Sequence, residues 1–226
     1  MTSLKTVLDE MWAVASEDHR VGMARFGIPI ERAMGIPVPL LRKMARVYRN
    51  EHELAIELWN SGWHEARILA PMVADPKQTT SELVDRWTEE FDAWDICDQC
   101  CQNLFRLTPF AYDKVYEYAL REEEFVRRTA FALMATLAVG DKAAEDERFL
   151  PFFGLIEQAS GDSRNFVRKA VNWALRQIGK RNQRLHREAL EVSRRLASMS
   201  DKTAVWIGKD ALRELSDPKV MARIRP

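Results

Sequence analysis

The sequence predicts an all-α fold, an α-α superhelix or solenoid of stacked helical pairs, and three observations carry that expectation. A segment occurs twice, as Phe125-Val126-Arg127-Arg128-Thr129-Ala130 and Phe166-Val167-Arg168-Lys169-Ala170-Val171, at an offset of 41 residues that lies within the period of two-helix repeats. Apolar residues recur at i, i+3, i+4 and i+7 along most of the chain, and strand-like alternation never persists beyond a few residues. Gly and Pro number nine each in 226 residues, sparse for a loop-rich or all-β chain.

Taken in order, residues 3–16 place Leu4, Val7, Leu8, Met11, Trp12 and Ala15 on one face. Residues 21–37 are interrupted by Gly22, Gly27, Pro29, Gly35 and Pro37, which predicts a loop region with one short helix. Helix resumes over 38–49 and continues in segments 51–60, 64–74 and 79–90, the last opening with Thr79 three residues before Glu82, a capping-box spacing. Residues 91–106 carry Trp94, Ile96, Cys97, Cys100, Leu104 and Phe105. Further helices are predicted over 109–120, 123–139, 146–160, 163–180, 183–199, 203–215 and 218–224. Gly140-Asp141 and Gly161-Asp162 are stop signals, with Asp162 or Ser163 expected to cap the following helix.

Ala174-Leu175-Arg176 returns as Ala211-Leu212-Arg213 at an offset of 37, and Glu65-Ala66-Arg67-Ile68-Leu69-Ala70 is a weaker copy. The varying offset indicates degenerate HEAT-like units, and no linker or composition break divides residues 1–226, so one HEAT-like repeat domain is expected.

The formal net charge of zero conceals an asymmetry. Residues 51–124 hold 6 Lys/Arg against 17 Asp/Glu, whereas residues 164–226 hold 16 against 6. Binding to a polyanion needs a basic face and not a basic average, so a neutral total does not exclude nucleic acid. Arg128 and Lys169 share one repeat position and are expected to project toward the same side, with Trp173 one turn beyond Lys169. No apolar run approaches the ~18 residues of a membrane span, and no signal-peptide core opens the chain. Three cysteines, Cys97, Cys100 and Cys101, crowd into five residues, an odd count that argues for reduced thiols and a cytoplasmic setting.

Metal and nucleotide chemistry find no seat. His19, His52, His64 and His186 are scattered, the cysteines have no second CxxC pair, and neither a Walker A segment nor GxGxxG is present. No metal and no cofactor is therefore expected, and the thiols are expected to fill a tight helix contact. What remains is Trp94-Asp95-Ile96-Cys97-Asp98, in which Trp94 and Asp98 lie at i and i+4. An indole beside a carboxylate suits stabilisation of a transient cation, although such residues are commonly a core aromatic and a cap or ion-pair partner. No histidine lies near the motif in sequence.

Three stretches together resemble the AlkD-type DNA alkylation repair glycosylases, a family of HEAT-like helical solenoids. Trp94-Asp95-x-x-Asp98 is similar to the family's aromatic–acid motif, Arg128-Thr129-Ala130 to its phosphate-contacting arginine, and Lys169 to Arg176 to its second tryptophan helix. The resemblance spans about Gly35 to Leu215. It implies Asp98 as the catalytic carboxylate, Trp94 and Trp173 flanking the lesion's deoxyribose, and Arg128 on backbone phosphate; Lys169, at the repeat position of Arg128, and Arg176 are expected as further DNA contacts. It also implies N3- and N7-alkylated purines in duplex DNA as substrate, without extrusion of the base into a pocket. The Cys97–Cys101 cluster around the acid and the acidic 51–124 stretch depart from that pattern.

An alkylated purine carrying positive charge is already a good leaving group. The remaining barrier is at the sugar, where a fixed carboxylate stabilises oxocarbenium character and orients water. The four aligned residues are expected to converge on one concave face of a monomer. Two rival readings are a non-catalytic binder of branched or damaged DNA, which has no need of Asp98, and a protein–protein scaffold, which needs neither acid nor basic groove.

Overall fold

The computed structural model describes residues 2–224, and every regular element among them is helical. The α-helices are α1 (Leu4–Trp12), α2 (Glu17–Met23), α3 (Val38–Val47), α4 (His52–Asn60), α5 (His64–Val73), α6 (Ser81–Glu89) and α7 (Trp94–Asn103). They continue as α8 (Ala111–Ala119), α9 (Glu124–Gly140), α10 (Leu150–Ala159), α11 (Asn165–Gly179), α12 (Gln183–Ala197), α13 (Lys202–Leu215) and α14 (Pro218–Met221). None is long and apolar enough to cross a membrane.

Backbone packing groups these helices into two compact units, residues 1–110 and 111–226. In the first, α3, α5 and α7 lie side by side, and α4 packs against α5 from a second layer. Trp59 of α4 and Trp87 of α6 stack with centroids 4.3 Å apart and rings 7° from parallel, joining successive helices of that outer layer. Trp59 Nε1 also donates to Glu90 at 2.6 Å, which satisfies the buried indole N–H.

In the second unit α9, α11 and α13 form one layer, and α8, α10 and α12 the other. The repeated segments lie in register there: Phe125 and Phe166 stack at 5.6 Å, so positions 41 apart in sequence meet across the α9–α11 seam. Small residues set the spacing. A Cβ on Gly208 would lie 2.4 Å from Ala197 N and 2.6 Å from Ser193 O, so α13 touches the α12 backbone at this point.

Over residues 21–37 the helix is limited to the end of α2 and one 3-10 turn, as expected for a loop region with one short helix. Ser16 caps α2 by accepting from His19 N–H, and a 3-10 turn over Ala24–Phe26 follows, closed by Gly27 at φ 73°. Two cap assignments shift. Thr80, not Thr79, caps α6 by accepting from Leu83 N–H at 3.2 Å, while the Thr79 hydroxyl donates to Asp75 O. Asp162 accepts from the Arg164 backbone and side chain, which puts Arg164 at the N-cap of α11 with no side-chain cap.

Candidate active site

Helix α7 buries Ile96, Cys97, Cys100 and Cys101 against its neighbours. That apolar face leaves Trp94 and Asp98 half-buried, one turn apart, on the adjoining face. No disulfide joins the three cysteines, and all of them are fully enclosed. Burial drives the Cys100 and Cys101 thiols well above their ordinary pKa, and for Cys101 the neighbouring Cys97 and Asp98 add to that shift. They are packing groups, as their crowding into one short stretch predicts.

The start of α7 is fastened to other elements through Trp94 and Asp95. Trp94 Nε1 donates to Phe26 O at 3.1 Å, which orients the indole against the 3-10 turn, while the Phe26 ring itself is 67% exposed. His64 Nε2 lies 2.9 Å from Asp95 Oδ2, and Asp95 Oδ1 accepts from Ile96 N–H at 3.0 Å. Beside it, the buried Glu65 carboxylate accepts from the backbone N–H groups of Met34, Gly35 and Ile36 at 2.8, 2.7 and 3.2 Å. The first turn of α5 thus holds both the segment leading into α3 and the first turn of α7.

Gly35 is required at this crossing. Its φ is 75°, and a Cβ would lie 2.0 Å from Ser16 O. Burial by itself would lower the His64 pKa, but the hydrogen bond and charge of Asp95, with Glu65 and Asp92 beyond, raise it above the ordinary value.

His64, Glu65 and Phe26 are the residues that the sequence reading passed over. His64 is 31 positions from Asp95, and only the packing of α5 on α7 makes them partners. The absence of a nearby histidine holds along the chain and fails in space. The one sequence signal for Glu65 is an acidic residue among the apolar positions of a repeat helix.

The remaining predicted residues belong to the second unit. Arg128 does not match the outward orientation expected from its repeat position. It is 5% exposed and donates through Nη1 to Phe166 O at 2.5 Å, because α11 covers it. Lys169, its repeat counterpart, is exposed. Trp173 is half-buried, and with the Gln177 amide oxygen turned toward it the indole N–H donates at 3.2 Å. Arg176 is already engaged: it pairs with Glu214 and lies 3.9 Å from Asp210, linking α11 to α13. Glu214 also accepts from Lys180 at 2.6 Å. Burial opposes ionisation of Glu214, but those two cations hold its pKa below the ordinary value. Lys169 and Trp173 therefore remain presented at the surface, whereas Arg128 and Arg176 also serve as helix–helix clasps.

Stacked helical pairs carrying an acid–indole turn define a helical-repeat protein with a candidate site for a cationic centre. The family of DNA alkylation repair enzymes matches residues 7–215, and the chain belongs to that family. The fold is shared with a solved structure described as a new family of proteins related to the HEAT-like repeat DNA glycosylases with affinity for branched DNA structures. That match has a TM-score of 0.78 at 19% identity and covers 94% of this chain and 95% of the other. A designed armadillo repeat protein in complex with a (KR)4 peptide is matched at a TM-score of 0.40 and 13% identity, over 81% of this chain and 87% of that one. No curated protein sequence matches.

Proposed function

We propose that the protein is a DNA glycosylase that hydrolyses the N-glycosidic bond of positively charged N3- or N7-alkylated purines in duplex DNA. The observation that carries this reading is the first turn of α7, where Asp98 and Trp94 share a half-buried face and the indole is held by Phe26 O. A carboxylate fixed on a packed helix is preorganised for charge that develops on a sugar. An indole face adds ~0.5–2 kcal/mol of attraction to that charge where the site is dry.

In the reaction, the cationic base leaves with the bonding electron pair and becomes neutral. Asp98 stabilises the oxocarbenium-like sugar and accepts a hydrogen bond from the attacking water. Addition of water at C1′ and loss of a proton then give the abasic sugar. No acid is needed to protonate the leaving base, because its charge already weakens the bond. Trp173 is assigned a second aromatic contact to the lesion nucleotide, and Lys169 a contact to backbone phosphate that positions DNA without reading its sequence. Arg128 and Arg176 keep this assignment only as residues that shape the helices bearing those contacts.

The testing experiment is release of 7-methylguanine and 3-methyladenine from methylated duplex DNA, followed by chromatography of the freed bases. Release above the spontaneous rate is expected, and its absence with folded protein rejects the reading. The structural neighbour with affinity for branched DNA favours one second reading, a non-catalytic DNA-binding protein. That reading predicts retention of branched duplexes with no base release.

A further inference from the structure

The sequence places the basic excess near the C-terminus, yet the first unit holds an arginine cleft of its own. Arg42 and Arg46 lie one turn apart on α3, and Arg49 follows in the turn just past its C-cap Tyr48. They line a cleft of about 320 Å³ together with Asn50 and Asn103, over apolar surface that includes Met72. Residues 1–110 carry 12 Lys/Arg and 17 Asp/Glu, so carboxylates are plentiful in this unit, but none lines this cleft. Three other clefts among the described residues each contain an acid: Glu145 and Asp146 in one, Glu51 and Glu53 in another, Glu31 and Asp92 in a third.

The amides are already oriented. Arg42 reaches Gln99 Oε1 at 3.4 Å, and Asn103 Nδ2 donates to Gln99 Oε1 and Gln99 O at 3.0 and 2.8 Å. Arg46 and Arg49 are exposed and have no ion-pair or hydrogen-bond partner among the described residues. A guanidinium pair without a counter-charge, beside amide groups and an acid-free wall, suits a doubly ligated anion such as a phosphodiester.

We propose that Arg46 and Arg49 form a phosphate-binding cleft for the backbone of duplex DNA, separate from the acid–indole turn. Asn103 follows Asp98 by five residues on the same helix, about 7.5 Å along its axis at ~1.5 Å per residue. The inference rests on the reading of the chain as a DNA-binding repair protein, and it assigns part of the binding to the net-acidic unit.

The test is binding of an unmodified duplex by wild-type protein, the Arg46→Gln/Arg49→Gln double variant and Arg86→Gln, an exposed α6 control, across a salt series. Both cleft arginines are exposed, so the double variant should fold, which circular dichroism checks. Loss of two phosphate contacts should flatten the log–log salt slope by about 1.8 units and weaken binding on the order of tens-fold at ~0.1 M salt. Arg86→Gln should change neither. An unchanged slope and affinity in the double variant, with wild type binding, overturns the cleft and leaves the glycosylase reading standing. Wild-type protein that binds no duplex overturns both, whereas duplex binding without base release overturns the glycosylase reading alone.

Discussion

Asp98 and Asp95 occupy the same helical turn but have different surroundings, and that difference separates a catalytic role from a structural one. Asp95 is committed to His64 and to the Ile96 backbone. Asp98 shares its half-buried face with Trp94. If Asp98 stabilises a sugar cation, Asp98→Asn should slow release of 7-methylguanine by roughly 10²–10³ in single-turnover assays, the scale of losing one preorganised electrostatic group. DNA affinity should be retained, since removal of an anion cannot weaken a phosphate contact. Equal rates in variant and wild type would remove Asp98 from the mechanism.

His64 makes a separate prediction about stability. It binds its proton more tightly in the folded protein than in the unfolded chain, so the charged pair contributes fully below the unfolded value of about 6.5. The contribution fades as pH rises through the elevated folded pKa. His64→Ala should therefore cost about 1.5–3 kcal/mol near pH 6, the range for a hydrogen bond to a charged group, and less near pH 9. Denaturant titrations at the two pH values check this, and a penalty that grows with pH would contradict it.

At the scale of elements, the close approach of α12 and α13 and the open surface of α10 make opposite predictions for the same substitution. Gly208→Ala forces a methyl group into backbone atoms of Ser193 and Ala197 and should destabilise by about 1–3 kcal/mol or more. Gly154→Ala meets nothing within 4 Å in an exposed helical position and should stabilise by up to ~1 kcal/mol. Urea midpoints of the two variants, compared with wild type, read both effects. A mild Gly208→Ala phenotype would mean that the helices separate at little cost.

Helix positions were legible from periodicity because each buried face repeats every three or four residues along its own segment. Ends and caps were less legible. Thr79 and Thr80 both have the chemistry of a cap, and only the path of the backbone into α6, which brings the Thr80 hydroxyl to Leu83 N–H, decides between them. The same limit blurred the bounds of α2, whose Gly22 reads as a breaker but lies at an open position with nothing within 4 Å of a built Cβ.

For the whole molecule, charge is divided between two packing units, 12 Lys/Arg against 17 Asp/Glu in residues 1–110 and 22 against 17 in residues 111–226. Duplex affinity should fall with salt, and Lys169→Ala should flatten the slope by about one unit on all sequences alike. Affinity that does not respond to salt would favour a protein-binding role. Substrate range follows from the proposed chemistry. Uracil and hypoxanthine are neutral bases that would leave as anions and therefore need a donor or acid, usually in a pocket that reads the base edge. The proposed site uses Asp98 as an anion, so neither base should be released from matched duplexes, as alkaline cleavage of abasic sites would show. Efficient uracil release would require a different site.

The sequence by itself determined the helical class, the repeat register of Phe125 with Phe166, the i, i+4 pairing of Trp94 with Asp98 and the burial of the thiols. Each depends on spacing along one helix or between copies of one unit. Tertiary structure alone decided that His64 meets Asp95, that Glu65 gathers three N–H groups, that α11 covers Arg128, and that Arg46 and Arg49 face an acid-free cleft. Those outcomes depend on which helix lies alongside, and contacts between residues far apart in sequence leave no periodic trace in one chain.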